Sequence, residues 1–245
     1  MPNRIIKAPT IAIVLAAGSG KRMDQETAKQ YMKLKTHPVI AYTLSVFERC
    51  EAIDEVVVII PPDTIEYFES EILDRYRFKK VLRLVVGGHH RQQSVYNGIV
   101  SVKDKDSTLV IHDGVRPFVT EKALIDLVAA AKEHKAACAV TKVNFTVKRV
   151  QKSLIKETVD RKELFLAHTP QAFSYEVIHK AHVTYQDGDQ HPATDDAELV
   201  ERIKVPVHAV EIDDLTAFKL TTPNDILIAE AIIHAWGIKV GAGKK

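Results

Sequence analysis

The sequence predicts an α/β fold: a mostly parallel β-sheet with helices on both faces and an inserted β-hairpin arm. Short, continuously apolar runs such as 10–15 and 55–60 are typical of strands that are buried on both faces. These runs alternate with longer segments of helical periodicity, which favours βαβ connections and a parallel sheet. Residues 137–160 break this alternation, because two strand-like runs there flank a short polar turn, as in a hairpin.

The first half of the chain supplies four strands and four helices. Each strand is a short apolar run that ends at glycine, proline or a polar turn, and each helix repeats apolar residues at a spacing of three or four. Thr120 directly precedes the fourth helix and is a typical N-cap. The predicted strands are 10–15, 55–60, 81–86 and 108–112, and the predicted helices are 37–48, 64–76, 92–103 and 121–134.

The second half begins with the arm, whose strands are predicted at 137–150 and 154–159 around the turn 151–153. Helical periodicity then returns, so that we expect one domain over 1–245 with the arm 137–160 as an insertion. After the arm, helices are predicted at 174–185, 195–203 and 224–236, with a strand at 207–212.

Composition narrows the function classes. The 245 residues are 46% hydrophobic, enough for a substantial core, and 34 Lys and Arg against 32 Asp and Glu leave a net charge of +2. This balance excludes the basic field that duplex nucleic acid requires, and no apolar run approaches the roughly 20 residues of a membrane span. Cys50 and Cys138 form no disulfide framework, so we expect a cytoplasmic protein.

A glycine-bearing loop follows the first strand at residues 15–23. Its small side chains allow backbone N–H groups to approach an anion closely, and Lys21 and Arg22 add positive charge. The loop lacks the Gly-Lys-[Ser/Thr] end of a P-loop, and Met23 occupies the third glycine position of the dinucleotide fingerprint. An ordinary strand-to-helix turn gives the same composition. The residues that would cradle a phosphate are Ala16, Ala17, Gly18 and Gly20.

Three further motifs fall at or beyond the carboxyl ends of predicted strands. Lys29 can fold back over the phosphate loop, although an isolated lysine is usually solvated. The diglycine at 87–88 suits close approach to a base or ribose, whereas the adjacent His89 and His90 lack the spacing of zinc ligands. Asp113 can hold a magnesium ion that bridges phosphates, but Asp-Gly is also a common turn. Their shared location at one edge of the sheet predicts a single site.

Downstream polar residues are less informative by themselves. Thr194 or Asp195 can simply cap the helix that follows. Lys219, near the end of a strand, can pair with a substrate phosphate or lie in water, and spacing alone leaves both alternatives open.

Together these motifs resemble the 2-C-methyl-D-erythritol 4-phosphate cytidylyltransferase family of the non-mevalonate isoprenoid pathway. The resemblance extends from Ile11 to about Ala231, with the motifs in the family's order. It rests on AAGSGKRM, AKQY, GGxxRxxSV, HDGVRPF, TVKRV, ETVDR, TPQAF, TDDAELVE and FKLTTPND.

The resemblance implies a Rossmann-like nucleotide-binding fold, CTP and a small polyol phosphate as partners, Mg²⁺, and a homodimer that interlocks through arm 137–160. By this resemblance, Arg22 and Lys29 would stabilise the transition state. Arg161 and Lys219 would position the acceptor phosphate. Thr146 and Arg161 would reach the partner's site. The nucleotide would contact Ala16, Ala17, Gly18, Gly20, Gly88, Ser94, Asp113, Gly114 and Arg116, and the acceptor would contact Thr146, Arg161, Thr194 and Lys219, with Asp113 beside the metal.

The sequence departs from the family pattern at four positions. Ala28 replaces a usual proline, and His89 replaces a common aspartate. Phe145 stands where an aspartate commonly precedes Thr146, and Ala217 replaces a usual asparagine. The last two changes lie on the acceptor side, so they bear on acceptor identity more than on the chemistry.

The chemistry expected is attack by an acceptor phosphate, already anionic near neutral pH, on the α-phosphorus of CTP. No general base or covalent enzyme intermediate is needed, which fits a chain in which no Ser–His or Cys–His arrangement is recognisable.

Ribitol-5-phosphate cytidylyltransferase shares the glycine loop, lysine and arm and is the nearest alternative. A catalytically silent nucleotide-binding regulatory protein is the alternative from another class, and the missing third glycine disfavours a dehydrogenase.

Overall fold

The computed structural model of the protein describes residues 8–18, 31–185 and 193–241. Its centre is a seven-stranded sheet in which every strand but one points the same way, so the predicted α/β class is confirmed. The strands are β1 (Thr10–Leu15), β2 (Lys33–Leu34), β3 (His37–Pro38), β4 (Glu55–Ile60), β5 (Val81–Val86), β6 (Thr108–Asp113), β7 (Ala136–Lys142), β8 (Val147–Gln151), β9 (Leu154–Val159), β10 (Phe165–Ser174) and β11 (His208–Glu211).

The helices follow the predicted pattern closely. Helices α4 and α7 have the predicted bounds, and the Thr120 hydroxyl accepts from the Ala123 N–H, which confirms the N-cap. The predicted helix 64–76 is instead a 3₁₀ turn, α2 and a π-helical turn (Glu69–Asp74) in succession. The helices are α1 (Val39–Arg49), α2 (Ile65–Phe68), α3 (Arg91–Ser101), α4 (Glu121–His134), α5 (Tyr175–Thr184), α6 (Asp196–Arg202) and α7 (Asn224–Trp236).

Strand order fixes where a ligand can bind. The sheet runs β11-β7-β10-β6-β1-β4-β5, and β1 pairs in parallel with both β4 and β6. The chain first adds strands on one side of β1 and then on the other, which makes β1–β6 a topological switch point with a crevice at its carboxyl end. Leu15 and Asp113 are register partners at that end.

Alternate residues of the central strands enter two separate cores, as the period of a strand requires. Val14 and Val58 pack with helices α1 and α4 on one face, and Ile13 and Ile59 pack with α3, α5 and α6 on the other. Both faces of the sheet are therefore covered, and the strands are rigid supports for the loops at their ends.

The arm region differs from the sequence-based expectation. Residues 137–150 do not form one strand: Ala136–Lys142 is the nearly buried β7 of the main sheet, and Val147–Gln151 begins a separate hairpin with β9. A short loop that includes Phe145 separates the two, so the independent hairpin comprises only β8 and β9. Both hairpin strands are largely solvent-exposed within this chain.

The second difference is β10, which includes the TPQAF motif and for which no element was predicted. It inserts antiparallel between β6 and β7, with a register shift between Ala167 and Gln171. Gln171 is fully buried there: its Nε2 donates to Asp195 Oδ2 (2.9 Å) and its Oε1 accepts from the Ala197 N–H (3.0 Å). This one side chain ties the sheet to the start of α6.

Replacing Gln171 by leucine is expected to lower the free energy of unfolding by about 2–4 kcal/mol, because buried polar partners on α6 would lose their hydrogen bonds. Lys180→Leu, exposed on α5, is the control and should change the free energy of unfolding by no more than about 0.5 kcal/mol. Urea denaturation measures both. Equal midpoints for the two variants would contradict the structural role of Gln171.

Candidate active site

Three loops converge at the carboxyl end of β1. Beyond Leu15, the N–H of Ala16 donates to the Ile59 carbonyl, and the N–H of Gly114 donates to the Leu15 carbonyl. A Cβ on Gly114 would lie 2.8 Å from that carbonyl oxygen, so only glycine permits this approach. A Cβ on Gly87 would lie 2.5 Å from the Cβ of Ala17. The predicted cradle Ala16–Gly18 therefore lies beside the loops that follow β5 and β6.

The loop after β5 is held by the first turn of α3. The N–H of Gly88 donates to the Ser94 hydroxyl (3.0 Å), and the N–H of His89 donates to Gln93 Oε1 (2.8 Å). Ser94 is buried, and Gly88 is half-buried. Gly88 and Ser94, both predicted to contact the nucleotide, are thus in direct contact with each other beside the β1 loop.

Asp113, the last residue of β6, is the electrostatic centre of this edge. Its Oδ2 lies 2.7 Å from Lys219 Nζ and 3.5 Å from Arg116 Nε, and its Oδ1 lies 3.6 Å from Arg91 Nε. Burial would raise the pKa of Asp113, but the charges of these three cations outweigh burial and hold the pKa far below its usual value. Asp113 is therefore ionised at any physiological pH.

Arg91 links Asp113 to a second buried carboxylate. Its Nη2 lies 2.8 Å from Asp196 Oδ2, and Asp196 Oδ1 lies 3.2 Å from His182 Nε2. Burial favours the neutral form of Asp196, but Arg91 and His182 lower its pKa below the usual range. Asp195 also acts electrostatically on Arg91, so three carboxylates balance the three cations. The positive charge that an anion can reach is therefore local, at the half-exposed Lys219.

Two histidines contact Arg116. His112, fully buried on β6, has its Nε2 3.1 Å from the Arg116 carbonyl, and His168, half-buried on β10, has its Nδ1 3.4 Å from Arg116 Nη1. Burial lowers the pKa of each imidazole, the positive charge of Arg116 lowers it further, and both pKa values fall to about 4. Both rings are consequently neutral near pH 7.

The structure does not bring every predicted residue to this cluster. Arg161 is exposed at the base of the arm, where it donates to the Asn144 carbonyl, and Thr146 is exposed beside it. The hydroxyl and N–H of Thr194 both donate to Glu198 Oε2, which is the reciprocal half of the cap on α6. Gly20, Arg22 and Lys29 lie outside the described residues.

Sequence reasoning missed Arg91, Asp196 and His168 as members of the site. Arg91 was visible within the motif GGxxRxxSV, three residues beyond the diglycine, and its position at a strand's carboxyl end was a usable signal. Asp196 was likewise visible within the motif TDDAELVE, where only a helix cap was considered. His168 gave no such signal, because its contact with Arg116 depends on how β10 packs.

The donor set at Asp113 restricts the kind of metal that fits. Within the described ranges, no three His, Cys, Asp or Glu side chains are grouped as a protein-only metal site requires. Magnesium, however, is commonly bound by one or two carboxylates together with substrate phosphates. The permanently ionised Asp113, whose Oδ1 is only loosely engaged at 3.6 Å, fits that mode.

Comparison with known proteins identifies the family. The family model for 2-C-methyl-D-erythritol 4-phosphate cytidylyltransferase matches residues 10–235. A curated protein of that name from Geobacter metallireducens is 43% identical, covering 91% of this chain and 96% of the relative. Another, from Geobacillus kaustophilus, is 44% identical with the same coverage.

Solved structures agree. The crystal structure of 4-diphosphocytidyl-2C-methyl-D-erythritol synthase from Anaerococcus prevotii has a TM-score of 0.81 at 30% identity, covering 93% of this chain and 96% of that one. A Thermus thermophilus cytidylyltransferase structure gives 0.73 at 27% identity, covering 91% and 98%. The match over almost the whole chain shows that the protein belongs to the 2-C-methyl-D-erythritol 4-phosphate cytidylyltransferase family of nucleotidyltransferases.

Proposed function

We propose that the protein transfers CMP from CTP to 2-C-methyl-D-erythritol 4-phosphate, forming 4-diphosphocytidyl-2-C-methyl-D-erythritol and pyrophosphate. The observation that carries this proposal is the Asp113 cluster: three cations around one carboxylate, beside two glycine loops at the switch point of the sheet. A crevice with backbone amides on one side and cationic side chains on the other suits two phosphate-bearing substrates.

In the reaction, an oxygen of the acceptor phosphate forms a bond to the α-phosphorus of CTP. The bond from that phosphorus to the bridging oxygen breaks, and the electron pair leaves with pyrophosphate. Because the nucleophile is already an anion, the main obstacle is repulsion between two polyanions. Positioned cations and backbone dipoles lower that barrier by stabilising charge that grows on the phosphoryl oxygens.

For the nucleotide, we assign the phosphates to the loop that begins at Ala16 and the base to Gly88 and Ser94. Arg22 and Lys29 would stabilise the transition state; this assignment rests on the family motif AAGSGKRM…AKQY. Asp113 would hold Mg²⁺ together with the CTP phosphates, and the ion, when bound, would neutralise charge on the departing pyrophosphate. Gly114 and Arg116 complete the proposed nucleotide side.

For the acceptor, Lys219 is already 2.7 Å from Asp113 and is half-exposed, so its ammonium can meet an incoming phosphate. Arg161 and Thr146, by contrast, have no described contact with the Asp113 cluster of their own chain. This arrangement supports a homodimer in which each arm serves the partner's site. The exposed apolar side chains on the hairpin, Val150, Leu154 and Ile155, support burial of the arm against a second subunit.

We further propose that the enzyme acts in the cytoplasm. Both cysteines, Cys50 and Cys138, are buried free thiols, which suits a reducing compartment. In the part of the chain that the structure describes, no helix has the length and apolarity to cross a bilayer.

Offered CTP and Mg²⁺, the purified protein is expected to release pyrophosphate with 2-C-methyl-D-erythritol 4-phosphate and at least tenfold more slowly with ribitol 5-phosphate. Tenfold is about the smallest discrimination that a difference of one carbon group in the substrate produces. A coupled pyrophosphate assay measures both rates. The reverse preference would identify the ribitol enzyme, and CTP binding without release for either acceptor would favour a silent nucleotide-binding protein.

Lys29→Ala and Arg22→Ala are each expected to lower kcat about a hundredfold or more, because each would remove one preorganised donor from the developing charge. Lys33→Ala, on the exposed end of β2, is a matched control that removes a positive charge four residues along the sequence from Lys29, and it should keep wild-type turnover. Near-normal kcat in Lys29→Ala or Arg22→Ala would show that the assignment from the family motif is wrong.

Subunit complementation tests the shared site. Arg161→Ala and Lys219→Ala homodimers should both be nearly inactive, but co-expression should restore about a quarter of wild-type activity. Half of the dimers would be mixed, and each mixed dimer would contain one intact site of two. No recovery in purified mixed dimers would place Arg161 in its own chain's site instead.

A further inference from the structure

His168 lies between a residue of the site and a residue of the main sheet. Its Nδ1 is 3.4 Å from Arg116 Nη1, and its Nε2 is 2.9 Å from the Thr141 hydroxyl on β7. The residue occupies the stretch of β10 where the register with β7 shifts, between Ala167 and Gln171. Such irregularities redirect side chains, and here the ring points toward Arg116.

The partners of His168 determine its tautomer. A guanidinium has only N–H donors, so Nδ1 of His168 must accept from Arg116 and cannot carry a proton. The ring proton is therefore on Nε2, from which it is donated to the Thr141 hydroxyl. Thr141 is almost fully buried and holds the ring in this orientation.

His168 is one of three groups that hold the Arg116 guanidinium. Nη1 carries two hydrogens, and it donates one to His168 and the other to the Ala217 carbonyl. On another side, Nε lies 3.5 Å from Asp113 Oδ2. Arg116 is only 8% exposed, so solvent is a poor substitute for any partner that is lost.

We propose that His168 is a positioning residue for cytidylyl transfer: its neutral imidazole, anchored by Thr141, fixes the Arg116 guanidinium beside Asp113. The proposal rests on the function proposed above and adds a residue that acts through Arg116. Without His168 as acceptor, one Arg116 N–H would be buried without a partner, and the guanidinium would be drawn toward Asp113. Misplacement of a charged group by about 1 Å is enough to lower turnover substantially.

Two substitutions separate hydrogen bonding from shape. A glutamine can reproduce both contacts, with Oε1 accepting from Arg116 and Nε2 donating to Thr141, whereas a leucine of similar volume reproduces neither. We expect His168→Leu to lower kcat/KM for CTP about tenfold or more and His168→Gln to stay within about threefold of wild type. His208→Gln, on the exposed edge strand β11, is the control and should match wild type.

Thr141→Val tests the anchor and remains informative if His168→Leu fails to fold. It should also lower kcat/KM. The double variant His168→Leu/Thr141→Val should lose no more activity than His168→Leu alone, because Thr141 acts on Arg116 only through His168. Thermal unfolding of each variant shows whether any loss of activity merely follows a loss of stability.

The tautomer can be read directly in the wild-type protein. Long-range ¹H–¹⁵N correlation spectra at pH 7, with the His168 signals assigned through His168→Gln, should show Nε2 protonated and Nδ1 unprotonated. A protonated Nδ1, wild-type kinetics in His168→Leu, or equal losses in the leucine and glutamine variants would each overturn the proposal. Inactivity of the wild-type protein on CTP would instead count against the proposed function.

Discussion

The ion-pair cluster around Asp113 is the interaction on which the site depends. A carboxylate buried at the end of a central strand is stable as an anion only because Arg91, Arg116 and Lys219 surround it. Those cations come from α3, from the loop after β6 and from the loop before α7, so one charge holds three distant segments of the chain together. Loss of that charge would leave the cations to repel one another, which links the geometry of the site to its electrostatics.

Asp196 is a second buried carboxylate that contacts Arg91. It takes the shorter contact with Arg91, at 2.8 Å, and leaves Asp113 Oδ1 at 3.6 Å from the same guanidinium. His182 and the cap at the start of α6 in turn fix Asp196. The inner carboxylate thus orients the arginine, and the outer one remains available toward the crevice.

The sequence was sufficient for the architecture and for predicting that the loops after β1, β5 and β6 meet at one end of the sheet, because both follow from local patterns. Apolar runs and glycine loops identified β1, β4, β5 and β6, and helices α4 and α7 could be bounded to the residue. What failed was non-local: β10 is recognisable as a strand only once β6 and β7 are in place on either side of it. The same insertion brings His168 to Arg116, so that contact could not be predicted.

The antiparallel course of β10 also determines where the arm emerges. Strand β7 ends at Lys142, and its antiparallel neighbour β10 begins at Phe165. The segment between them therefore leaves and re-enters the sheet at the same end, which is the carboxyl end of β6 that carries Asp113. None of the main-sheet pairing involves residues 143–164. The register of the main sheet is therefore independent of the pairing between β8 and β9, and a change in the hairpin can alter contacts with a second subunit without altering the strands that carry Asp113.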